Sequence, residues 1–352
     1  MTGQCVTLGN MTTGFVFAPA AQHTMEGHPE FAGRTAAIWE QLNSAELLPH
    51  LTQLTPQPAT TEQLSRVHHR DQIYTVQAVS QQGGGMIGAD TYTTSATWDE
   101  ACLAAGSACV AVDAVLTGQV EHAAALVRPP GHHAGKRSIE GFCLFNNIAV
   151  AARHAQAVHN VERVSIIDVD VHHGNGTQDI FYDDPSVQFF STHQYGRYFY
   201  PGSGNQHEDG RGEGAGHTIN IPLPTGTGDT GYAEVFDQLI EPLLGEFKPQ
   251  LMLVSLGFDA HWRDPLAQMK LSLTGYDQLV RRQLRWAEQL CDGKIVFVLE
   301  GGYDLQVLSI GVQNLMMALL QHKAVDPLGV SAEMEPDLSE RIVKLRQQHL
   351  LA

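Results

Sequence analysis

The chain has 352 residues, 43% of them hydrophobic and 17% charged, and lacks the run of about 18 to 20 apolar residues that a membrane span requires. Its 21 Lys and Arg against 38 Asp and Glu give a net charge of −17, which repels phosphate backbones, argues against nucleic-acid binding and favours cationic partners. Five scattered cysteines without a CxxC pair, and a first segment without a basic region followed by an apolar stretch, predict a reduced, cytoplasmic protein.

From about residue 95 onward, short apolar runs alternate with helical patterns, which is typical of βα units in a parallel sheet. We predict strands at 123–127, 163–171, 187–192, 251–256 and 294–299, all continuous apolar runs. Helices are predicted near 98–117, 145–159, 232–246, 275–291 and 304–321, with an amphipathic helix at 337–350. Thr97 and Glu100 are predicted to form a capping box that opens the first of these helices.

One predicted strand carries polar residues at every second position. In "SIIDVDVHHGNG", residues 165–176, an extended strand would place Asp168, Asp170 and His172 on one face inside a core. Burying unpaired carboxylates costs many kcal/mol, and a divalent cation removes that cost. Asp170 and His172, about 6.6 Å apart, could reach one ion, whereas Asp168 lies about 13 Å from His172 and is expected to support the site from outside.

Three other predicted strands are also followed by polar side chains. His132 and His133 follow 123–127, Asp259 follows 251–256 and Tyr303 follows 294–299. Each alone has a commoner explanation, such as a surface histidine, a helix N-cap or a turn residue. Because the carboxyl ends of parallel strands meet at one edge, their joint placement predicts an active site, with Asp259 as a third metal ligand. Three protein ligands with open positions are typical of a catalytic metal.

The motifs resemble, in order, those of the histone deacetylase superfamily, whose zinc-dependent members share their fold with arginases. The matching segments are "GHPE" with Arg34, "VHHRDQIY", "RPPGHHAG", "GFCLFNN", "IIDVDVHHGNGTQDIF", "FFSTHQ", "YFYPGSG", "SLGFDAHWRDPL" and "EGGY". The motifs "DVDVHHGNGTQ" and "EGGY" are similar to those of the class II and bacterial deacetylase-like branch of this superfamily, as opposed to class I. The resemblance implies a single α/β domain over residues 1–352, with a parallel, mostly eight-stranded sheet and helices on both faces.

The resemblance also implies a role for each site residue. Asp170, His172 and Asp259 would bind zinc, with Fe(II) as an alternative metal. The implied catalytic residues are His133 as general base, His132 as its electrostatic partner held by Asp168, Tyr303 as oxyanion donor, and Asn175, which stands where class I enzymes have Asp. The other implied positions are the tunnel residues Phe142, Tyr200, Leu266, Gly141 and Gly301, Asp168 and Ser191 for a potassium ion, and Arg34 for a pocket at the foot of the tunnel.

These roles predict metal-assisted hydrolysis of an acyl amide. Three hypotheses stay open: a lysine deacetylase acting on a protein or peptide, a deacetylase of acetylpolyamines or other small cationic amides, and a non-catalytic metal-stabilised binding module. The third is disfavoured because every catalytic position holds a competent residue. Polyamine-selective relatives carry a Glu at the tunnel rim where this chain has Leu266, which cannot pair with a second ammonium, so acyl-lysine is favoured.

Overall fold

A computed structural model describes residues 12–350. The strands are β1 Thr13–Ala18, β2 Thr52–Leu54, β3 Gly84–Met86, β4 Tyr92–Thr94, β5 His122–Val127, β6 Val164–Asp168, β7 Val187–Gln194, β8 Thr218–Leu223, β9 Leu251–Leu256 and β10 Ile295–Leu299. The helices are α1 Gly33–Ser44, α2 Thr61–Ser65, α3 Arg70–Gln81, α4 Thr97–Leu116, α5 Asn147–His159, α6 Asn175–Phe181, α7 Asp229–Val235, α8 Glu241–Phe247, α9 Leu273–Cys291, α10 Leu305–Leu319 and α11 Ser339–Gln348. A π-helical turn, Phe236–Ile240, joins α7 to α8.

Eight strands form one parallel sheet in the order β2-β1-β5-β10-β9-β6-β7-β8, and β3 and β4 form a separate antiparallel pair. The predicted fold class, a single α/β domain with an eight-stranded parallel sheet, is confirmed. In this order β6 lies between β9 and β7, and β10 lies between β5 and β9. The strand ends that carry the predicted site residues therefore lie side by side.

Both faces of the sheet are buried because the strands are apolar on both sides. Ile166 of β6 belongs to one hydrophobic cluster and its neighbour Ile167 to another, as the alternation of side chains along a strand requires. Helices α4 and α5 cover the Ile166 face, and α1, α9 and α10 cover the Ile167 face. Because the sheet is packed on both faces, the carboxyl ends of its strands are held in fixed positions.

Strand β6 is shorter than predicted and ends at Asp168. The carboxylate of Asp168 accepts the Asp170 N–H at 3.1 Å, and the carboxylate of Asp170 accepts the His172 N–H at 2.9 Å. These local bonds compete with the strand ladder and turn the chain. The motif residues therefore do not alternate along an extended strand.

The predicted capping box at the start of α4 is wrong. Thr97 Oγ1 accepts the Thr94 N–H at 2.6 Å, and Glu100 Oε1 accepts the Gln22 N–H at 2.9 Å, so both side chains bind neighbouring segments. A capping box does open α2, where Thr60 and Gln63 bond reciprocally.

Between residues 12 and 350, no helix combines the length and apolar character needed to cross a membrane. The cysteines of this range are free and buried: Cys102, Cys109, Cys143 and Cys291. Residues 1–11, which include Cys5 and part of the segment on which the expectation about a leader rests, lie outside the described residues.

Candidate active site

Asp170, His172 and Asp259, here called the triad site, meet at the carboxyl ends of β6 and β9. His172 Nδ1 lies 3.2 Å from Asp170 Oδ1 and 3.3 Å from Asp259 Oδ2, and the three potential ligand atoms all lie within 4.8 Å of one another. The carboxylates are 1% and 0% exposed, and His172 is half-buried. Asp259 Oδ2 is buried and has this ion-pair contact with His172 but no hydrogen bond.

The backbone holds the triad site rigidly. Asp259 Oδ1 accepts the Val171 N–H at 2.9 Å, and Asp170 Oδ2 accepts the Gly301 N–H at 2.8 Å. Gly301 is required beneath the carboxylates, because a Cβ there would lie 2.2 Å from Asp259 Oδ2 and 2.5 Å from Asp170 Oδ2. Gly257 is equally confined, with a Cβ position 2.3 Å from Asp170 Oδ2.

These residues fit a divalent cation. Two carboxylates and one imidazole are suitable ligands for Zn²⁺ or Fe²⁺. Burial alone would lower the pKa of His172, but the adjoining carboxylates of Asp170 and Asp259 raise it to about 9, so the site attracts positive charge. The buried Asp259 oxygen without a hydrogen bond is the strongest sign, because such an atom is costly unless a cation or donor satisfies it.

His132 and His133 lie beside the triad site in different electrostatic surroundings. His132 Nδ1 lies 3.0 Å from Asp168 Oδ2, and although burial lowers the pKa of His132, the charges of Asp170 and Asp168 raise it well above its usual value. His133 Nδ1 lies 2.7 Å from Asn175 Oδ1. Burial, and then the positive charge on His132, hold the pKa of His133 well below its usual value. A neutral His133 is suited to accept a proton.

A cavity of about 270 Å³ opens above the triad site. It is lined by Asp90, His133, Gly141, Phe142, His172, Tyr200, Leu266 and Tyr303. The Tyr200 ring meets the His133 ring edge-on at 5.0 Å, and the Phe142 ring meets the Tyr303 ring edge-on at 5.9 Å. Leu266 is 38% exposed. Gly301, also predicted as a tunnel residue, is not among these lining residues and packs against the carboxylates of the triad site.

Tyr303 is fixed from two sides. Its N–H donates to Asp264 Oδ2 at 2.8 Å, and the guanidinium of the fully buried Arg34 lies 5.1 Å from the centre of its ring. Arg34 in turn donates to the carbonyls of Gly302 and Glu300 at 2.9 and 2.6 Å. Burial raises the pKa of Tyr303 well above its usual value, so its hydroxyl stays protonated and can donate.

The two residues predicted to hold potassium are neighbours across β6 and β7. Asp168 and Ser191 are paired in the sheet, and the Asp168 carbonyl accepts the Thr192 hydroxyl at 3.2 Å. Ser191 Oγ lies 2.9 Å from His193 Nδ1. The pair therefore lies at the end of β6, two residues before the triad residue Asp170.

Sequence reasoning missed several supporting carboxylates. Glu300 Oε2 accepts the N–H groups of Gly131 and His132 at 2.7 and 3.2 Å and so holds the loop that carries the two histidines. The sequence pattern could have identified Glu300, because it directly follows the apolar strand β10, just as Asp168 ends the apolar strand β6. Asp264 lies within "SLGFDAHWRDPL", but nothing local marks it as the support of Tyr303, and nothing local marks Asp90 in the cavity lining.

A second group with the same residue types, Asp113, His154 and His159, joins α4 to α5 and is here called the helix bridge. His154 Nε2 and His159 Nε2 lie 2.7 and 2.6 Å from one oxygen of Asp113. Gln63 accepts the Thr60 N–H with its oxygen, so its amide N–H donates to His154 Nδ1 at 3.2 Å. His154 therefore carries its proton on Nε2 and donates to Asp113, which favours a structural hydrogen bond over metal binding.

Comparison with known proteins identifies the class to which this fold and site belong. The profile of the histone deacetylase domain matches residues 28–319. The chain is 41% identical over 318 residues to "Histone deacetylase 14, chloroplastic" of Arabidopsis thaliana, covering 86% of this chain and 75% of that protein. It is 39% identical over 298 residues to human "Polyamine deacetylase HDAC10", covering 82% of this chain and 44% of that protein.

Its structure also matches the crystal structure of the HDA15 HD domain, with a TM-score of 0.89, 34% identity, and coverage of 97% of this chain and 95% of that one. The chain belongs to the histone deacetylase family, and it is a deacetylase-type hydrolase. The recognition made from its motifs is confirmed.

Proposed function

We propose that the chain removes acetyl or related acyl groups from lysine side chains in a zinc-dependent hydrolysis. The carrying observation is the Asp259 oxygen without a hydrogen bond, which lies with Asp170 and His172 at the base of a cavity that His133 and Tyr303 also line. Family membership supports a deacetylase; the metal and the acyl-lysine substrate are our inference.

Each side chain of the site has a separate role in the proposed hydrolysis. Asp170, His172 and Asp259 would hold the metal, which when bound supplies Lewis-acid activation of the acyl carbonyl and of water. His133, neutral and hydrogen-bonded through Nδ1, takes the proton of the attacking water at Nε2 and returns it to the leaving amine. The Tyr303 hydroxyl donates to the oxyanion that forms at the carbonyl. His132, beside Asp168, stabilises negative charge nearby. Fe(II) is the alternative metal.

The cavity lining favours an acylated lysine over an acetylpolyamine. Phe142 and Tyr200 provide two aromatic walls suited to an uncharged acylated side chain. Leu266 is apolar, so the distal ammonium of a polyamine would meet no partner there. The relative named as a polyamine deacetylase makes small cationic amides the second candidate, and the net charge of −17 would attract them.

The central test is a substrate panel with metal analysis on the same sample. Acetyl-, longer acyl- and lactyl-lysine peptides are compared with acetylputrescine and acetylspermidine at fixed ionic strength, and bound zinc and iron are quantified. We expect the highest kcat/KM on an acyl-lysine peptide and about one equivalent of zinc. No hydrolysis of any member by metal-loaded protein would reject the proposed activity.

Leu266→Glu tests the substrate preference, with Leu266→Gln as a control of equal size without the charge. A carboxylate at the rim should raise kcat/KM for acetylspermidine relative to an acetyl-lysine peptide by about 5- to 30-fold, the equivalent of ~1 to 2 kcal/mol for a hydrogen bond to a charged group. The Gln variant should show little of this change. A wild type that already prefers acetylspermidine, or no relative gain in the Glu variant, would remove the basis for preferring acyl-lysine.

A potassium ion beside Asp168 and Ser191 is part of the proposal. It is supported by the pairing of these residues at the end of β6, two residues before Asp170. Ser191→Ala should then weaken the dependence of thermal stability on KCl relative to NaCl, and an unchanged dependence would contradict the assignment.

A further inference from the structure

Glu140 contacts the site residue Asn175 from the side opposite His133. Asn175 Oδ1 lies 2.7 Å from His133 Nδ1, and Asn175 Nδ2 donates to Glu140 Oε1 at 3.0 Å. The three side chains thus form a chain of two hydrogen bonds that ends in a carboxylate. The geometry points to Glu140 as a positioning residue that fixes the orientation of the Asn175 amide and, through it, the tautomer of His133. This inference rests on the proposed function of His133 as general base.

The chemistry of the groups allows only one assignment along this chain. A carboxylate cannot donate, so the atom of Asn175 that faces Glu140 must be the amide nitrogen. The atom that faces His133 is then the amide oxygen, which also cannot donate, so the proton must lie on His133 Nδ1. Nε2 of His133 is left with a free lone pair, which is the form that a general base requires.

Without Glu140, the amide could rotate by half a turn. Its nitrogen would then donate to His133 Nδ1, the imidazole would carry its proton on Nε2, and Nε2 could no longer accept one. An asparagine alone therefore cannot select the active tautomer, whereas a carboxylate at position 175 could. A carboxylate in contact with His133 would select the active tautomer directly. Glu140 selects it indirectly, through its hydrogen bond to the Asn175 amide. Its charge also polarises the amide and strengthens the bond to His133.

The backbone at Glu140 is held independently of its side chain. The Cys143 N–H donates to the Glu140 carbonyl at 3.0 Å, which closes a tight turn through Gly141 and Phe142 with φ of +59° and +66°. The Gly141 N–H donates to Asp90 Oδ1 at 3.0 Å. Glu140 is half-buried, so substitution of its carboxylate by an amide is expected to leave the turn in place.

A purely structural Glu140 would merely help to anchor the start of α6, where Asn175 is the first residue. Such a role predicts that Glu140→Gln changes thermal stability and leaves the tautomer of His133 unchanged. The positioning role predicts that the tautomer of His133 and kcat change together, so the tautomer decides between the two.

The test uses full-length, metal-loaded protein in four forms: wild type, Glu140→Gln, Asn175→Asp and the double variant. With Asn175 present, Glu140→Gln should lower kcat about tenfold, with KM and metal content unchanged, because the fraction of His133 in the active tautomer falls. In Asn175→Asp, two carboxylates face each other, and kcat should also fall. In the double variant, the amide introduced at position 140 donates to the carboxylate introduced at position 175. That carboxylate contacts His133 directly, so kcat should recover to wild type or above.

A decrease of equal size on both backgrounds, or a change of less than about twofold on both, would overturn the positioning role. A second measurement does not depend on activity. Nitrogen chemical shifts of the His133 imidazole should report the Nδ1–H tautomer in wild type and a mixture in Glu140→Gln, and identical spectra would also overturn the inference. If wild type hydrolyses no member of the substrate panel while the tautomers behave as expected, the proposed function fails and the positioning of His133 stands.

Discussion

The triad site and the helix bridge contain the same residue types, aspartate and histidine, with ligand atoms within 4.8 Å of one another, but their surroundings differ. In the triad site both carboxylates are buried, glycines leave no space beneath them, and one oxygen has no hydrogen bond. In the helix bridge Asp113 is 44% exposed and its oxygen already accepts two N–H bonds. Burial and the lack of a hydrogen bond at Asp259, more than residue type or proximity, therefore favour the triad site over the helix bridge as the proposed metal site.

The largest expected effect follows from removing a triad ligand. Asp170→Ala or Asp259→Ala leaves two ligands, which cannot hold a catalytic metal tightly, so activity should fall about 1,000-fold or more and the metal should be lost. His172→Ala should behave alike. Asp113→Ala in the helix bridge is the matched control, and its metal content should equal that of wild type. Metal retained near one equivalent in either Asp variant would break the comparison.

Tyr303→Phe should give the next largest effect. It removes one hydroxyl that burial keeps protonated, so kcat should fall roughly 100- to 1,000-fold while metal content and KM stay close to wild type. Activity within about threefold of wild type would show that the hydroxyl does not serve the oxyanion. The variant separates loss of the metal from loss of a donor that acts beside it.

Gly301→Ala tests whether the space beneath the carboxylates matters. A Cβ there would meet Asp259 Oδ2 at 2.2 Å and push the carboxylates apart, so metal affinity should fall about 10- to 100-fold, the usual effect of disturbing the support of a ligand. Gly245→Ala is the matched control, because a Cβ at Gly245 in α8 meets nothing within 4 Å. Isothermal titration of both variants with Zn²⁺ provides the measurement, and equal affinities would contradict the prediction.

Asp113→Asn should give the smallest effect, on stability alone. Although burial raises the pKa of Asp113, hydrogen bonds from His154 and His159 bring it below its usual value. A lowered folded-state pKa contributes stability above the unfolded value, and this contribution disappears as the pH falls through the lowered value. Solvent screening keeps the loss under about 1 kcal/mol at pH 7. Urea unfolding should show a difference from wild type at pH 7 that shrinks below about pH 4.

Five adjacent strands of the sheet were predicted from their apolar runs, and the strands outside them were not. Strands β5, β6, β7, β9 and β10 read as continuous apolar runs because helices cover them on both sides. The prediction did not include β1, β2 or β8 of this sheet, or the short pair β3 and β4. β1 is apolar and buried but precedes the βα alternation that begins near residue 95. β2 has only three residues, and β8 ends the sheet with Thr218, Asn220 and Pro222 among its six residues. Edge strands with polar residues and proline carry little periodic signal.

The triad residues could be recognised because polar side chains directly follow apolar strands. The residues that support the catalytic site could not be recognised in this way. From sequence alone, Asn175 is an uncharged substitute for aspartate, and only the structure shows its hydrogen bond to Glu140. Glu140 and Asn175 are 35 residues apart, and Glu140 begins the tight turn through Gly141 and Phe142. Contacts of this kind depend on loop conformation, which local sequence patterns do not specify.

The central position of β10 in the sheet has a consequence for how the chain folds during synthesis. β10 is the last strand in sequence but pairs with β5 on one side and β9 on the other. Until residues 295–299 leave the ribosome, β5 and β9 each present an unpaired apolar edge, the type of surface that promotes aggregation. The two parts of the sheet can join only after β10 is made, so assembly of the sheet depends on contacts between residues far apart in sequence.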